Sequence, residues 1–260
     1  MTKYDLGKEH ADPRLDYPMP DKNIVNVSPE VALPFMVDGE FIGGHTMPWG
    51  SNYTFLMWIS LNDTECFRVI YKPQSGEKPL RDFTVGSLYK REQAAYLIST
   101  TIGWPNIPLT IIRNGPYGIG SVQLYIDCDP RITYFDIRDD NYKELFSVSL
   151  FDLITNNADR KGGHLLMDDN NKIWSIDHGL TFHHIFKMRT VMFEYCGNKI
   201  PDTLLAELND NNLISPIYDQ LSELVSQTEI QSLEKRISAI INNPEMPILD
   251  PNFDIPWPIV

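Results

Sequence analysis

The chain has 260 residues, 42% of them hydrophobic, which is enough to bury a sizeable core as one large domain or two tightly associated lobes and argues against overall disorder. Its 22 basic residues against 35 acidic ones leave a formal net charge of −13, which repels nucleic-acid phosphates and anionic lipid heads over most of the surface. The cysteines Cys66, Cys128 and Cys196 lie far apart with no CxxC spacing, which argues against a zinc knuckle or a disulfide framework.

Residues 1–27 carry Pro13, Pro18 and Pro20 among charges, show no helical or strand period, and read as an extended N-terminal arm. Their order is unlike the charged-then-apolar order of a secretory signal. No window approaches the roughly 18 uninterrupted apolar residues of a membrane helix, so a cytoplasmic protein without a membrane span is expected. From Pro34 to Tyr71, short apolar runs alternate with turn residues: FMVDGEFIGG, NYTFLMWISL and CFRVIYK. These predict strands, with Asp38-Gly39 and Asn62-Asp63 as turns. A helix is predicted over Ser87 to Thr101, because Gly86 and Ser87 can cap it, Leu88, Ala95, Ile98 and Ile102 recur at helical spacing, and Gly103 ends it. IPLTIIR and SVQLYID read as two further strands, so this part of the chain is a mostly antiparallel sheet with one helix.

Helices dominate afterwards. Leu145, Val148, Phe151 and Ile154 form a stripe that predicts a helix over Tyr142 to Thr155. Thr203 to Leu208, Ser215 to Val225 and Thr228 to Ile241 follow, the last opening on Thr228 and Gln231 as a capping-box pair. The end, PEMPILDPNFDIPWPIV, is proline-rich and reads as an extended strap docked through Phe253 and Trp257.

The segment NNADRKGGHLLMDDNNKIWSIDHG carries the chemistry. HLLM and KIWSI flank the turn DDNN as a hairpin, which brings Asp159 and His164 at one strand's start and Asp177 at the other's finish to one end. Asp168, Asp169, Asn170 and Asn171 fall short of a calcium-loop ligand set and read as the hairpin turn. Phosphoryl transfer needs such a set: a carboxylate to orient or deprotonate the attacking hydroxyl, and further ligands for a divalent ion on the phosphates. His164 follows Asp159 by five residues and Asp177 follows it by eighteen. In the protein-kinase loop H-R-D-x-x-x-x-N, base and metal ligand are separated by the same five residues, and D-F-G comes next.

Asp159-Arg160-Lys161-Gly162-Gly163-His164 and Asp177-His178-Gly179 resemble the D-R-x-x-x-N and D-x-G strings of the phosphatidylinositol 3- and 4-kinase branch of the protein-kinase-like superfamily. More closely, the chain is similar to a family of small bacterial proteins assigned to that branch. The strings that carry this are SNYTFL, YKPQSGEKPLRDF, LYKREQAAYL, SVQLY, FDLITNNADRKGGH and IDHGLTFH, over roughly residues 35 to 200.

The resemblance implies an α+β, bilobal protein-kinase-like fold: an N-lobe over 28–128 of antiparallel sheet plus one helix, a hinge near 123–129, and a mainly helical C-lobe over 129–260 that ends in the strap. It also implies ATP and Mg²⁺ or Mn²⁺ in the cleft. Lys72 matches the lysine that holds the α/β-phosphates, and Glu92 the helix carboxylate that holds the lysine. Glu92 lies beside the apolar stripe of its helix, where a carboxylate wants a cationic partner. Gly50, Ser51 and Asn52 fall where a loop covers the phosphates, and the hinge QLYID, with Gln123 and Tyr125, would offer backbone groups to adenine.

The resemblance further implies that Asp159 orients the acceptor hydroxyl, that Lys161 neutralises the γ-phosphate, and that His164 and Asp177 hold the metal. His164 stands where the superfamily has Asn, and imidazole suits Mn²⁺ better than Mg²⁺. Lys187 and Arg189, in the segment after D-H-G, are positive charges suited to an acidic or phosphorylated acceptor. His183 and His184 read as surface or packing residues. The expected reaction is γ-phosphoryl transfer to a hydroxyl of a protein or small polar molecule. An ATP-binding pseudokinase and an AMP transferase are the alternatives.

Overall fold

The computed structural model describes residues 20–47, 52–208 and 215–260. The chain divides into two units, Met1–Gln93 with Pro108–Tyr125, and Ala94–Ile107 with Ile126–Val260.

The first unit contains β1 (Asn23–Ile24), α1 (Pro29–Asp38), β2 (Phe41–Thr46), β3 (Phe55–Ser60), β4 (Glu65–Pro73), the opening turns of α2 (Leu88–Ile102), β5 (Thr110–Gly115) and β6 (Gly118–Leu124). The strands form one sheet in the order β2-β3-β4-β6-β5, antiparallel throughout, and β1 joins β4 in parallel. β3 and β4 take the middle because FLMWIS and CFRVIY are rich in branched and aromatic residues that pack well on a pleated surface. Leu56, Met57, Ile59, Phe67, Val69 and Tyr71 are buried there, each side chain contributing about 1.5–3 kcal/mol. The β4–β6 register places Lys72 opposite Ser121, one residue before β4 ends.

Two readings of this region are corrected. Residues 35–37, read as strand before a turn at Asp38-Gly39, belong to α1, so the first unit carries a helix beyond the one expected. Pro29 at the first helical position and Glu30 in the first turn start that helix, and a short apolar run alone does not separate strand from helix. The end of the N-terminal arm, Asn23–Ile24, is a strand paired with Glu65 and Cys66, and residues 1–19 lie outside the described residues.

α2 ends as expected at Gly103, whose φ of +85° is a left-handed conformation that a side chain would strain. The second unit continues with α3 (Tyr134–Ile137), α4 (Tyr142–Thr155), β7 (Leu165–Met167), β8 (Ile173–Ser175), α5 (Asp202–Leu208), α6 (Tyr218–Leu224) and α7 (Gln227–Asn242). Its core joins Leu145, Val148, Phe151 and Ile154 of α4 with Ile230, Leu233 and Ile237 of α7. α7 starts earlier than expected, on a capping box of Ser226 and Glu229 rather than Thr228 and Gln231. Nor is the C-terminal strap docked by its aromatics: Phe253 and Trp257 are 76% and 86% exposed, while Met246, Leu249 and Pro256 are buried. No helix among the described residues is long and apolar enough to cross a membrane.

Candidate functional site

In the first unit, Lys72 Nζ lies 2.5 Å from Glu92 Oε1. The strand end supplies the lysine and α2 the carboxylate, which is 4% exposed and so needs the cation beside it. Gly50 and Ser51 lie outside the described residues. Asn52 is described, and its Oδ1 accepts the Lys78 N–H at 2.8 Å, which ties it to the segment after β4. Gln123 turns its side chain inward, donating to Thr110 Oγ1 at 2.8 Å. Tyr125 lies under the Arg68 guanidinium, 4.6 Å from the ring centroid. The N–H groups of Leu124 and Tyr125 already donate to Leu109 O and Arg68 O.

In the second unit, α4 ends in Asn156, whose left-handed φ of 55° turns the chain sharply into the loop 157–164. The Asp159 N–H donates to Asn157 Oδ1 at 3.0 Å, the Arg160 N–H to Arg189 O at 3.0 Å, and the Gly162 N–H to Ile259 O at 2.8 Å. A short 3₁₀ turn over Gly162–His164 then leads into β7. The hairpin forms as expected: Asp168 Oδ1 accepts the N–H groups of Asn170 and Lys172, and Oδ2 accepts from Trp174 Nε1, which makes this carboxylate a turn former. Lys161 Nζ lies 3.2 Å from Asp159 Oδ2, and His164 Nε2 lies 3.3 Å from Asp177 Oδ2.

Burial pushes the Asp159 carboxyl up to about 6. Lys161 pulls it down and Asp177 pushes it up, so the two neighbours oppose one another. Asp177 has a φ of 59°, a region that costs a non-glycine residue about 1–3 kcal/mol and persists only where the surroundings enforce it.

Phosphate-bound Mg²⁺ keeps several waters and takes one or two carboxylates from the protein. Among the described residues no group of three His, Cys, Asp or Glu side chains is placed to hold a metal unaided. Asp177, with a side chain 47% exposed, fits the lighter requirement. His164 Nδ1 faces the Lys161 N–H at 3.4 Å. Because an N–H only donates, the ring proton belongs on Nε2, where it points at Asp177. In this arrangement the imidazole Nε2 faces the carboxylate at 3.3 Å.

The mutual contacts of three residues around the loop escaped the sequence reading. Asp152 and Arg160 form an ion pair at 2.7 Å with both side chains at 0% exposure, and Arg160 Nη2 meets His178 Nε2 at 3.0 Å. The available signal was Asp152 itself, a charge inside the largely apolar α4. The rings of His183 and His184 stack at 4.6 Å, and His183 Nδ1 accepts the Ile185 N–H, which is a packing role. The Lys187 N–H donates to Asn156 Oδ1 at 2.8 Å, so the segment after D-H-G is tethered to the end of α4.

A sheet flanked by α2, followed by a helical unit with this loop and hairpin, is a kinase-like fold. The crystal structure of the Helicobacter pylori proinflammatory kinase CtkA is similar, with a TM-score of 0.50 at 12% identity, covering 81% of this chain and 94% of that one. By sequence the chain is 35% identical over 263 residues to protein Rv2133c of Mycobacterium tuberculosis, covering 86% of this chain and 93% of that protein. The chain belongs to the family of protein Rv2133c. No protein-family profile matches it.

Proposed function

We propose that the chain is an ATP-dependent phosphotransferase of the phosphatidylinositol 3- and 4-kinase-like branch, moving the γ-phosphoryl group to a hydroxyl of a protein or small polar molecule. The observation that carries this reading is the Lys72–Glu92 pair, in which a lysine at a strand end is held by a nearly buried helix carboxylate. That is the arrangement a kinase uses to present a cation to the α/β-phosphates.

In the second unit, Asp159 orients the acceptor hydroxyl and takes its proton as the oxygen–phosphorus bond forms and ADP leaves. A carboxylate with a pKa raised to about 6 accepts a proton more readily than an ordinary one while staying mostly ionised at neutral pH. Lys161 neutralises charge on the transferring group. Asp177, oriented by His164, holds the Mg²⁺ or Mn²⁺. An ion bound there would offset charge on the phosphates. The net charge of −13 disfavours a lipid surface or nucleic acid as acceptor.

Incubation with ATP labelled in the γ- or the α-phosphate, with Mg²⁺ or Mn²⁺, tests the reading beside Asp159→Asn and Asp177→Asn. γ-Label on an acceptor or on the chain, lost in both variants, is the expected result. α-Label on protein makes the chain an AMP transferase. Nucleotide binding with no transfer under any condition makes it a pseudokinase.

A further inference from the structure

We propose that Asp152 and Arg160 are positioning residues: a buried hub that sets the backbone geometry of Asp159, His164 and Asp177. The proposal rests on the reading of those three as the transfer residues.

The guanidinium has five N–H donors in a fixed fork. Nε donates to Asp152 Oδ2 at 2.7 Å and Nη2 to Asp152 Oδ1 at 2.9 Å. Nη2 also donates to His178 Nε2 at 3.0 Å, while Nη1 donates to Ile176 O at 2.9 Å and His164 O at 3.3 Å. Every donor therefore has an acceptor, and three of the acceptors belong to His164 itself and to the two residues flanking Asp177. On the other side, Asp152 Oδ1 accepts from Asn157 Nδ2 at 2.9 Å, and Asn157 Oδ1 accepts the Asp159 N–H at 3.0 Å. A single ion pair thus reaches the His164 carbonyl directly, the Asp159 N–H through Asn157, and both residues that flank Asp177.

A buried ion pair is a poor source of stability. Its desolvation offsets most of the attraction, and well-packed apolar replacements of both partners are often neutral or better. What an apolar pair cannot reproduce is the directional hold on three carbonyl and imidazole acceptors. That hold is what a left-handed Asp177 requires, because the φ of 59° relaxes once its flanks are released. His178 enters by the same logic. Arg160 cannot accept a hydrogen bond, so His178 Nε2 must, and Ser175 Oγ, 3.1 Å from the same nitrogen, shares it.

The test compares the full wild-type chain with the paired replacement Asp152→Leu/Arg160→Met, which removes both charges together, and with Arg160→Lys, which keeps the charge but loses the fork. Hydrogen exchange is followed over residues 157–164 and 175–179. Binding of Mn²⁺ with a non-hydrolysable ATP analogue is followed by water-proton relaxation. The paired variant is expected to melt below wild type, because Asn157 Nδ2, His178 Nε2 and the carbonyls of His164 and Ile176 lose their partner. While still folded it should exchange faster in both segments than in the sheet of the first unit, and bind Mn²⁺ about 10- to 100-fold more weakly, as loss of groups that orient metal ligands does.

Wild-type exchange in both segments overturns the proposal. So does faster exchange with unchanged Mn²⁺ affinity, which would make the pair structural only. If the paired variant fails to fold, Arg160→Lys decides by the same two readouts. If the wild type binds neither Mn²⁺ nor the analogue, the phosphotransfer reading falls, and exchange alone decides whether the hub fixes these segments.

Discussion

Lys161 Nζ sits 3.2 Å from Asp159 Oδ2, and the carboxyl is nonetheless raised to about 6. Burial therefore outweighs the ion pair, with the nearby Asp177 charge adding to it. The carboxylate is kept basic by its setting and kept charged by its lysine.

This balance has a sign that can be measured. In the metal-free protein, carbon NMR titration of the Asp159 carboxyl should show a midpoint near 6; Lys161→Ala should move it higher and Asp177→Asn lower. The folded pKa exceeds the ordinary aspartate value of 3.8, so between those values the folded state holds a proton that the unfolded state has released. Stability is then lost as pH rises through that window. Asp159→Asn should raise stability at pH 7 by about 1–2 kcal/mol, allowing for partial solvent screening. An unchanged midpoint in both neighbour variants would show that neither charge acts on Asp159.

Lys72→Met leaves the Glu92 carboxylate, 4% exposed, without the cation it meets at 2.5 Å. The single change should cost about 1–3 kcal/mol in urea unfolding, below the range for fully buried pairs because Lys72 is 23% exposed. Adding Glu92→Gln should recover most of that stability while nucleotide affinity stays low. Recovery of affinity along with stability would assign the pair to the fold alone.

If His164 orients Asp177 through its Nε2 proton, Mn²⁺ bound with a nucleotide analogue should show no directly coordinated nitrogen from the ring in electron–nuclear double resonance. His164→Ala should still weaken Mn²⁺ binding about tenfold, the usual effect of losing a group that orients a ligand. A coordinated histidine nitrogen would make His164 a metal ligand instead.

A Cβ added at Gly162 would lie 2.8 Å from Phe135 Cε2 and 3.4 Å from Ile259 O. Gly162→Ala should therefore destabilise by about 1–3 kcal/mol and weaken the hydrogen bond that the strap accepts from the loop. Phe135→Leu in the same chain should restore part of the loss, since the ring is the closer obstacle. Hydrogen exchange at Gly162 reads the bond directly.

The hairpin, the strand that ends near Lys72 and α4 were legible because each depends on local pattern. Leu145, Val148, Phe151 and Ile154 recur at helical spacing, and DDNN between two short apolar runs is turn chemistry. α1 was misread because its short apolar run fits either period. Phe253 and Trp257 were misplaced because an aromatic residue in a proline-rich tail says nothing of what stands opposite it; the strap is held by backbone bonds from Gly162 and Thr190 and by buried Pro256.

Order and spacing along the chain determined which residues carry charge and donor atoms, and in what sequence: Lys72, Glu92, Asp159, Lys161, His164, Asp177. Only the tertiary structure decided their states. Burial of Asp159, the direction in which the His164 proton points, the left-handed turn at Asp177 and the pairing of Asp152 with Arg160 all depend on groups that chain position does not bring together. A pKa, a tautomer and a strained dihedral are set by the dielectric and the partners within a few ångströms, and those neighbours exist only once the chain has folded.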